Sequence, residues 1–280
     1  MKIQYKKKLF NVVLFVLTGI LSDLAMAQSL KKPDSTNYKK YIKSLPSFTI
    51  FGDNYFVTGT SLEDEISPQT SDAKFQLGFR QRLTDFELPW DTFLYFTYRQ
   101  KAFWNIYEDS FPFREINYNP ALGIAKLFAD ENGITGGLWF AFEHESNGRD
   151  EENSRSWNYF SVQYFKPLRN LWLFRMKTWL PVGSMSDNPD ITDYRGYFEA
   201  GATYKPVNNL FLEIDVRQAF HRRWRGSLKA GISFKISKKS NQFLYLQYFG
   251  GYSEDLINYN EHVSRLRIGI AFKELFYNFK

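Results

Sequence analysis

Residues 227–236, Ser-Leu-Lys-Ala-Gly-Ile-Ser-Phe-Lys-Ile, place an apolar side chain at every second position. Because successive side chains of a β-strand point to opposite faces, this alternation predicts a strand with one apolar face. Residues 210–217 and 265–272 repeat the pattern: one face is apolar, and the other carries most of the charged residues. These stretches predict a protein built from β-strands whose two faces differ in polarity.

Strand-like segments of this kind recur roughly every 15 to 20 residues from Ser47 to the end of the chain. There are twelve such segments, and a closed bacterial outer-membrane barrel requires an even number of strands. The predicted fold is therefore all-β, a 12-stranded antiparallel transmembrane β-barrel over residues 47–280. The segments are 47–60, 73–84, 92–106, 117–130, 134–146, 157–167, 171–183, 194–206, 209–220, 226–236, 243–253 and 263–275.

The N-terminus has the features of a secretory signal peptide over residues 1–27. Four lysines precede an apolar segment at residues 9–21, and Ala-Met-Ala at residues 25–27 forms a cleavage site. Because this segment carries four lysines and one aspartate, its removal lowers the formal charge from +6 to +3. The basic balance therefore gives no reason to infer a nucleic-acid partner. Residues 28–46 are polar and are predicted to form a periplasmic arm.

Composition favours a membrane barrel over a soluble sandwich. Aromatic residues make up 19% of the chain, yet the mean hydropathy is negative. No apolar run of membrane-helix length follows the signal peptide. The apolar strand faces are therefore expected to meet lipid and the charged faces to line the interior. The chain has no cysteine, which excludes disulfides, thiolate metal sites and a cysteine nucleophile.

The charged faces predict the content of the barrel. Both signs are present among the side chains expected to point inward, so we expect a paired polar network and not an open pore. These residues are Arg175, Lys177, Glu213, Asp215, Arg217, Lys229, Lys235, Arg265 and Arg267.

Residues 138–158, LWFAFEHESNGRDEENSRSWN, carry the candidate catalytic groups. His144 and Ser146 end the otherwise apolar face of one strand, and Asn158 begins the apolar face of the next. If the two strands pair as a hairpin, Asn158 lies beside His144, which gives a nucleophile, a base and an orienting group. The alternative is that Asn147 and Gly148 form an ordinary turn and that the polar residues only mark the loop. The chain has only three histidines, which weakens this alternative.

Strand counting predicts where this cluster lies. A chain that enters the barrel from the periplasm makes its odd-to-even connections outside the cell, so the 147–156 connection is extracellular. Residues 131–133 and 168–170 then form short periplasmic turns. The cluster is thereby expected at the level of the outer leaflet and facing lipid, where membrane lipid is the abundant substrate.

Three separated motifs resemble the outer membrane phospholipase A family. They are residues 144–149 (HESNGR) with 154–158 (SRSWN), residues 110–115 (SFPFRE) with Asn117 and Tyr118, and residues 187–192 (DNPDIT). The motifs stand in order with compatible spacing, which makes the resemblance specific, and it covers the chain from about residue 47 onward. It implies a barrel in the bacterial outer membrane that hydrolyses acyl esters of phospholipids.

The resemblance also implies residue roles. His144, Ser146 and Asn158 match the catalytic triad, and the backbone N–H of Gly148 with a calcium-bound water would meet the oxyanion. Calcium would be held by Ser110, the backbone carbonyl of Arg149, and Ser154, with ligands shared across a dimer interface.

A second, weaker metal site and a homodimer contact are implied as well. The second site would lie near Glu151 and Asp187. Gln100 matches a membrane-embedded interface glutamine, which would support a homodimer when the enzyme is active. Strand parity around residues 98–101 is too mixed to exclude an orientation of Gln100 into the lumen.

Two other functions remain open at this point. A passive barrel, either a porin or an adhesin, would leave the His-x-Ser pattern without a role, and it would release no fatty acid from micellar phospholipid. A soluble lipid-binding barrel would require that the mature chain dissolve without detergent.

Overall fold

The computed structural model describes residues 43–130, 133–169, 171–219, 225–237 and 241–274. Contacts group the described residues within 46–128 and 134–280 into one unit, and those within 1–45 and 129–133 into another. The predicted signal peptide and the arm as far as residue 42 lie outside the described residues. Among the described residues, no helix has the length and apolar character needed to cross a membrane.

Antiparallel strands form one continuous sheet that closes on itself. Strands β2 to β13 are neighbours in chain order, β13 pairs with β2, and the described strands thus form the expected closed 12-stranded barrel. The strands are β1 (Phe48–Ile50), β2 (Asn54–Ser61), β3 (Ser71–Arg82), β4 (Phe93–Trp104), β5 (Phe113–Asp130), β6 (Gly133–Ser146), β7 (Ser156–Leu168), β8 (Trp172–Val182), β9 (Phe198–Val207), β10 (Leu210–Ala219), β11 (Arg225–Lys235), β12 (Phe243–Gly251) and β13 (Val263–Phe272).

Short helical turns lie in three connections: Pro89–Asp91, Glu151–Asn153 and Thr192–Arg195. The last of these corrects the prediction that a strand begins at residue 194. Gly196, with φ of +74°, ends the turn, and β9 starts only at Phe198. A Cβ atom on Gly196 would lie 2.1 Å from the carbonyl oxygen of Gln218, so only glycine fits there.

The first predicted strand, 47–60, is interrupted at residues 51–53. Both β1 and β2 pair with β3. Phe48 of β1 lies opposite Gln81, near the C-terminal end of β3, and Tyr55 of β2 lies opposite Gln76. Gly52 has a φ of +68°, and its N–H donates to Glu274 at 3.0 Å. The break at Gly52 therefore allows a backbone hydrogen bond to Glu274, which follows β13. The alternation of side chains does not predict this break.

The two faces of the barrel differ in polarity as predicted. On β13, Leu266, Ile268 and Ile270 are exposed on the exterior, whereas Arg267 between them is 1% exposed and points inward. An apolar exterior around a charged interior is the pattern of a barrel embedded in lipid.

Ion pairs fill the interior, as predicted. Arg267 contacts Asp72 at 2.7 Å and Glu254 at 2.7 Å, and Asp215 contacts both Arg175 at 2.9 Å and Lys229 at 2.8 Å. Such pairs offset the cost of removing charges from water. The lumen of the described barrel is therefore lined by paired polar side chains.

The β12–β13 connection, residues 252–262, folds into one mouth of the barrel. Leu256 and Tyr259 pack with buried residues of β7, β8 and the 183–197 connection, namely Trp157, Tyr159, Trp179 and Ile191. The N–H of Leu256 also donates to the Asn117 side chain at 3.1 Å. This plug supports, from inside, the strands that carry the candidate site.

Candidate active site

The β6–β7 hairpin places Asn158 directly opposite His144. The Nδ1 atom of His144 lies 2.9 Å from Oδ1 of Asn158. Because an amide oxygen only accepts hydrogen bonds, Nδ1 must carry the proton, which leaves the lone pair on Nε2. The imidazole is thus held in the tautomer that a general base requires.

The site lies on the outer surface of the barrel. Phe142 is exposed beside His144, and Phe160 is exposed beside Asn158. Phe160 stacks on Phe140 with ring centroids 5.8 Å apart. Ser146 lies two residues from His144 on the same face, and its hydroxyl makes no hydrogen bond to the imidazole among the described residues. Catalytic contacts are often long before substrate binds, so this spacing is compatible with a catalytic pair.

Buried polar contacts hold the inner face of β6. Glu143 binds Lys177 at 2.6 Å, and Glu145 binds Arg195 at 2.9 Å. The Asn119 side chain donates to the backbone carbonyl of His144 at 3.0 Å. The strand is therefore anchored on both sides of His144.

One buried amide organises the loop after β6. The Asn147 side chain accepts from the backbone N–H groups of Arg149 at 3.3 Å and Arg155 at 2.9 Å, and it donates to the Asn153 carbonyl at 2.9 Å. Gly148 adopts a φ of +67°, and a Cβ there would lie 3.0 Å from the Tyr118 ring. These contacts define the backbone that presents the Gly148 N–H.

Oxygen ligands converge where the loop returns to β7. Ser154 Oγ donates to Asp187 Oδ2 at 2.8 Å, and Ser156 Oγ donates to the same oxygen at 3.1 Å. These hydrogen bonds hold the pKa of the Asp187 carboxyl below its usual value. An ionised carboxylate with neighbouring hydroxyls fits a hard cation such as calcium. No cluster of three acidic, histidine or cysteine ligands occurs in the described part of the chain.

Two other residues predicted as metal ligands lie in loops, and the backbone N–H of Ser154 donates to the carbonyl of one of them, Glu151, at 3.1 Å. Ser110 is in the β4–β5 connection with a φ of +66°, and Glu151 begins an exposed helical turn with a φ of +51°. Neither side chain hydrogen-bonds to Ser154 or Asp187 among the described residues. The second metal site near Glu151 and Asp187 stays a prediction, and among the described residues Asp187 accepts hydrogen bonds from Ser154 and Ser156.

The Arg149 side chain ties the same loop to β5. Its guanidinium hydrogen-bonds to the Arg114 carbonyl and lies 3.3 Å from the Glu115 carboxylate. Glu115 also accepts from the N–H of Ile257 at 3.2 Å, in the plug. The candidate site and the plug thus share a buried carboxylate.

Gln100 lies on the exterior of β4. Its cross-strand neighbours are Leu77, which is exposed, and Tyr118. Tyr98 donates its hydroxyl to the Gln100 Oε1 atom at 2.8 Å. Strand parity left open whether Gln100 points into the lumen or outward, and the register shows that it points outward.

Sequence reasoning gave no role to Asn119, Asn147 or Ser156 and named Tyr118 only within a motif. Ser156 follows Ser154 at the spacing of one strand face, which was an available signal. Asn147 precedes a glycine, which suggests only a turn. The contact of Asn119 with His144 depends on tertiary pairing and left no local signal.

Comparison with known proteins identifies similar chains. A family model described as Phospholipase A1 matches residues 26–272. Phospholipase A1 of Escherichia coli (strain K12) is 34% identical over 209 residues, covering 73% of this chain and 71% of the relative. Phospholipase A1 of Salmonella typhimurium is 30% identical over 248 residues, covering 87% and 82%.

Solved structures give the same result. The outer membrane phospholipase A from Escherichia coli superimposes with a TM-score of 0.73 at 28% identity, covering 82% of this chain and all of that one. The Salmonella typhi outer membrane phospholipase dimer with bound calcium gives a TM-score of 0.71 at 26% identity, covering 82% and 94%.

Proposed function

Because the chain belongs to the phospholipase A1 family of outer membrane phospholipases, we propose that it hydrolyses membrane phospholipids by a Ser146-His144-Asn158 triad on its lipid-facing surface. The family makes the chain a phospholipid-hydrolysing esterase with an outer-membrane barrel fold. The proposal adds the residues that carry the reaction, the calcium requirement and the active dimer.

The observation that carries the proposal is the 2.9 Å contact between His144 and Asn158 on an apolar outer surface. An amide orients the imidazole without adding a charge to a surface that faces hydrocarbon. The exposed Phe140, Phe142 and Phe160 beside the pair would contact the acyl chain of a bound lipid. A substrate is therefore expected to approach from the membrane and not from the lumen.

The reaction follows from the tautomer. Ser146 Oγ attacks the acyl carbonyl carbon while His144 Nε2 takes the serine proton. The tetrahedral oxyanion accepts a hydrogen bond from the Gly148 N–H. His144 then gives its proton to the leaving lysophospholipid alcohol, and an acyl ester forms on Ser146. Water, deprotonated by His144, hydrolyses that ester and releases the fatty acid.

Calcium is expected to bind near this oxyanion. Ser154 and Asp187 supply a hydroxyl and an ionised carboxylate, and the Arg149 carbonyl and Ser110 hydroxyl would complete an oxygen ligand set. Ser110 lies in another connection, which is consistent with ligands contributed by two copies of the chain. When bound, the cation would supply positive charge that stabilises the developing negative charge. The second, weaker site would use Glu151 and Asp187.

A homodimer is expected to be the active form. The solved relative with bound calcium is a dimer, and Gln100 lies on the exterior of β4, where a second barrel would pack. His144 and Ser146 are open to lipid on one side, so a second barrel would wall off an acyl-chain cleft. Monomers would then be inactive within their own substrate.

The candidate site is proposed to lie on the outer-leaflet side. The barrel end that carries it has the longer connections, such as 183–197 and 252–262, whereas β9 and β10 at the other end are joined by only two residues. Short turns are periplasmic in outer-membrane barrels. Residues 1–27 would then direct export, and residues 28–46 would form a periplasmic arm.

A calcium-controlled release assay tests the proposal. Refolded protein is given micellar phospholipid with calcium or with chelator, and free fatty acid is measured. Release that requires calcium supports the proposal. An absence of release in both conditions would favour the passive barrel, either a porin or an adhesin.

A further inference from the structure

The lumen contains a polar cavity of about 110 Å³ directly behind the candidate site. Its wall includes the inner face of β4, Glu145 of β6, and Trp157 and Tyr159 of β7. A cavity of this volume is large enough for several water molecules or for one small polyatomic ion. It takes no part in the proposed hydrolysis, which occurs on the other side of the barrel wall.

Charge is unbalanced around this cavity. Seven lysines and arginines line it. Five of them have a carboxylate partner at 2.6 to 3.8 Å: Lys74, Lys177, Arg195, Arg217 and Lys229. Arg99 and Lys101 form no ion pair with any described residue. Two cationic side chains that line the lumen therefore have no carboxylate in direct contact among the described residues.

These two cations are neighbours on one strand face. Arg99 and Lys101 both point inward from β4, two residues apart, which places their Cα atoms about 6.8 Å from each other. The Arg99 guanidinium contacts the Asn119 amide oxygen at 3.4 Å and the ring of Phe51. Lys101 donates to no described side chain. Both cationic groups thus retain free donors toward the cavity.

We infer that Arg99 and Lys101 form an anion-binding site in the barrel lumen, for a small oxyanion such as phosphate. A cation in a low-dielectric interior that has no counter-charge in direct contact is costly, and an anion would offset that cost for both residues together. A polyatomic oxyanion has several acceptor oxygens, so it can bind two donor groups at once. The barrel wall excludes a lipid headgroup, because its acyl chains remain outside.

The amides opposite the two cations strengthen the site. Asn117 faces Lys101 and Asn119 faces Arg99 across the β4–β5 ladder. Their N–H₂ groups are already committed, to Glu115 at 2.7 Å and to the His144 carbonyl at 3.0 Å. The anion would therefore depend on Arg99 and Lys101 for its charged contacts, and it would brace the wall behind the catalytic strand.

Calorimetric titration of inorganic phosphate into the refolded full chain tests this inference. Chelator is present, so that calcium-dependent hydrolysis does not contribute, and sodium chloride holds the ionic strength constant. We expect saturable binding of one phosphate, and a rise in unfolding temperature over the same concentration range. An absence of saturable binding to the wild-type protein would overturn the inference.

Two variants locate the site. Lys101→Met and Arg99→Gln are each expected to weaken phosphate binding at least about tenfold, since each removes a charged hydrogen-bond donor. Lys126→Met is the control: it removes the same charge from the other end of β5, where Lys126 pairs with exposed Asp91 at 3.6 Å. Wild-type affinity in both lumenal variants would also overturn the inference, because the anion would then bind elsewhere.

Discussion

The Nδ1 atom of His144 lies 2.9 Å from Oδ1 of Asn158, directly across the β6–β7 ladder. The two residues share the apolar outer surface of the barrel, where a carboxylate in place of the amide would add a charge among exposed aromatic side chains. Since the bond fixes which imidazole nitrogen carries the proton, it decides whether His144 can act as a base.

Loss of a general base typically lowers kcat by about 10²- to 10⁴-fold. Asn158→Ala is expected to lower kcat by less than that. The variant keeps both reacting groups and removes only the orienting bond. Initial rates of fatty-acid release, compared with those of His144→Ala, measure the difference. An equal loss in the two variants would give Asn158 a larger role than orientation.

Asn147→Ala is expected to lower kcat by about 10²-fold, because small displacements of catalytic groups have effects of that size. The side chain makes three hydrogen bonds that hold the Gly148 loop. Asn153→Ala is the control, because Asn153 contributes only its backbone carbonyl to this set. A normal kcat in Asn147→Ala would mean that the loop holds its conformation without the amide.

Ser154→Ala is expected to raise the calcium concentration needed for half-maximal activity by about tenfold or more. The pKa of Asp187 should also move up toward its usual value, because Ser154 supplies the largest effect that lowers it. As the pH falls, activation by calcium should then be lost at a higher pH in the variant than in the wild type, because protonation of Asp187 removes the carboxylate ligand. Calcium titrations at several pH values measure both effects.

The control for this titration is Ser184→Ala, whose hydroxyl lies in the same connection as Asp187 and binds Ser186. An unchanged calcium titration for Ser154→Ala would remove Ser154 from the metal site.

Gln100→Leu is expected to weaken dimerisation about fivefold, since an interhelical or inter-barrel polar bond in a membrane contributes on the order of 1 kcal/mol. Crosslinking with calcium and a substrate analogue measures the dimer, and fatty-acid release should fall in parallel. Ile232→Ala, on the exterior of β11, is the remote control. Full activity from a species that stays monomeric would contradict dimer control.

Much of this architecture follows from period-two alternation. The pattern at residues 227–236 corresponds to β11, Arg225–Lys235, and parity together with an assumed hairpin placed His144 and Asn158 on one surface. Alternation works here because lipid and a charged lumen impose opposite demands on the two faces of every strand.

The remaining features depend on contacts between distant parts of the chain. Ser154 meets Asp187 because the 183–197 connection packs beside the plug, around buried Ile191. Gln100 has polar neighbours on both sides in sequence, so its orientation became clear only from its register with Leu77. Cations without a carboxylate in direct contact, such as Lys101, become apparent only when the inward side chains are placed.

The most direct test of the proposed mechanism compares fatty-acid release by wild-type protein and by Ser146→Ala, both refolded and supplied with calcium. Ser146 is partly exposed at the end of β6, so the variant should fold, which heat-modifiable migration on gels can verify. We expect the wild type to release fatty acid and Ser146→Ala to release none above background. Release by Ser146→Ala at a rate close to the wild type would contradict the assignment of Ser146 as the nucleophile.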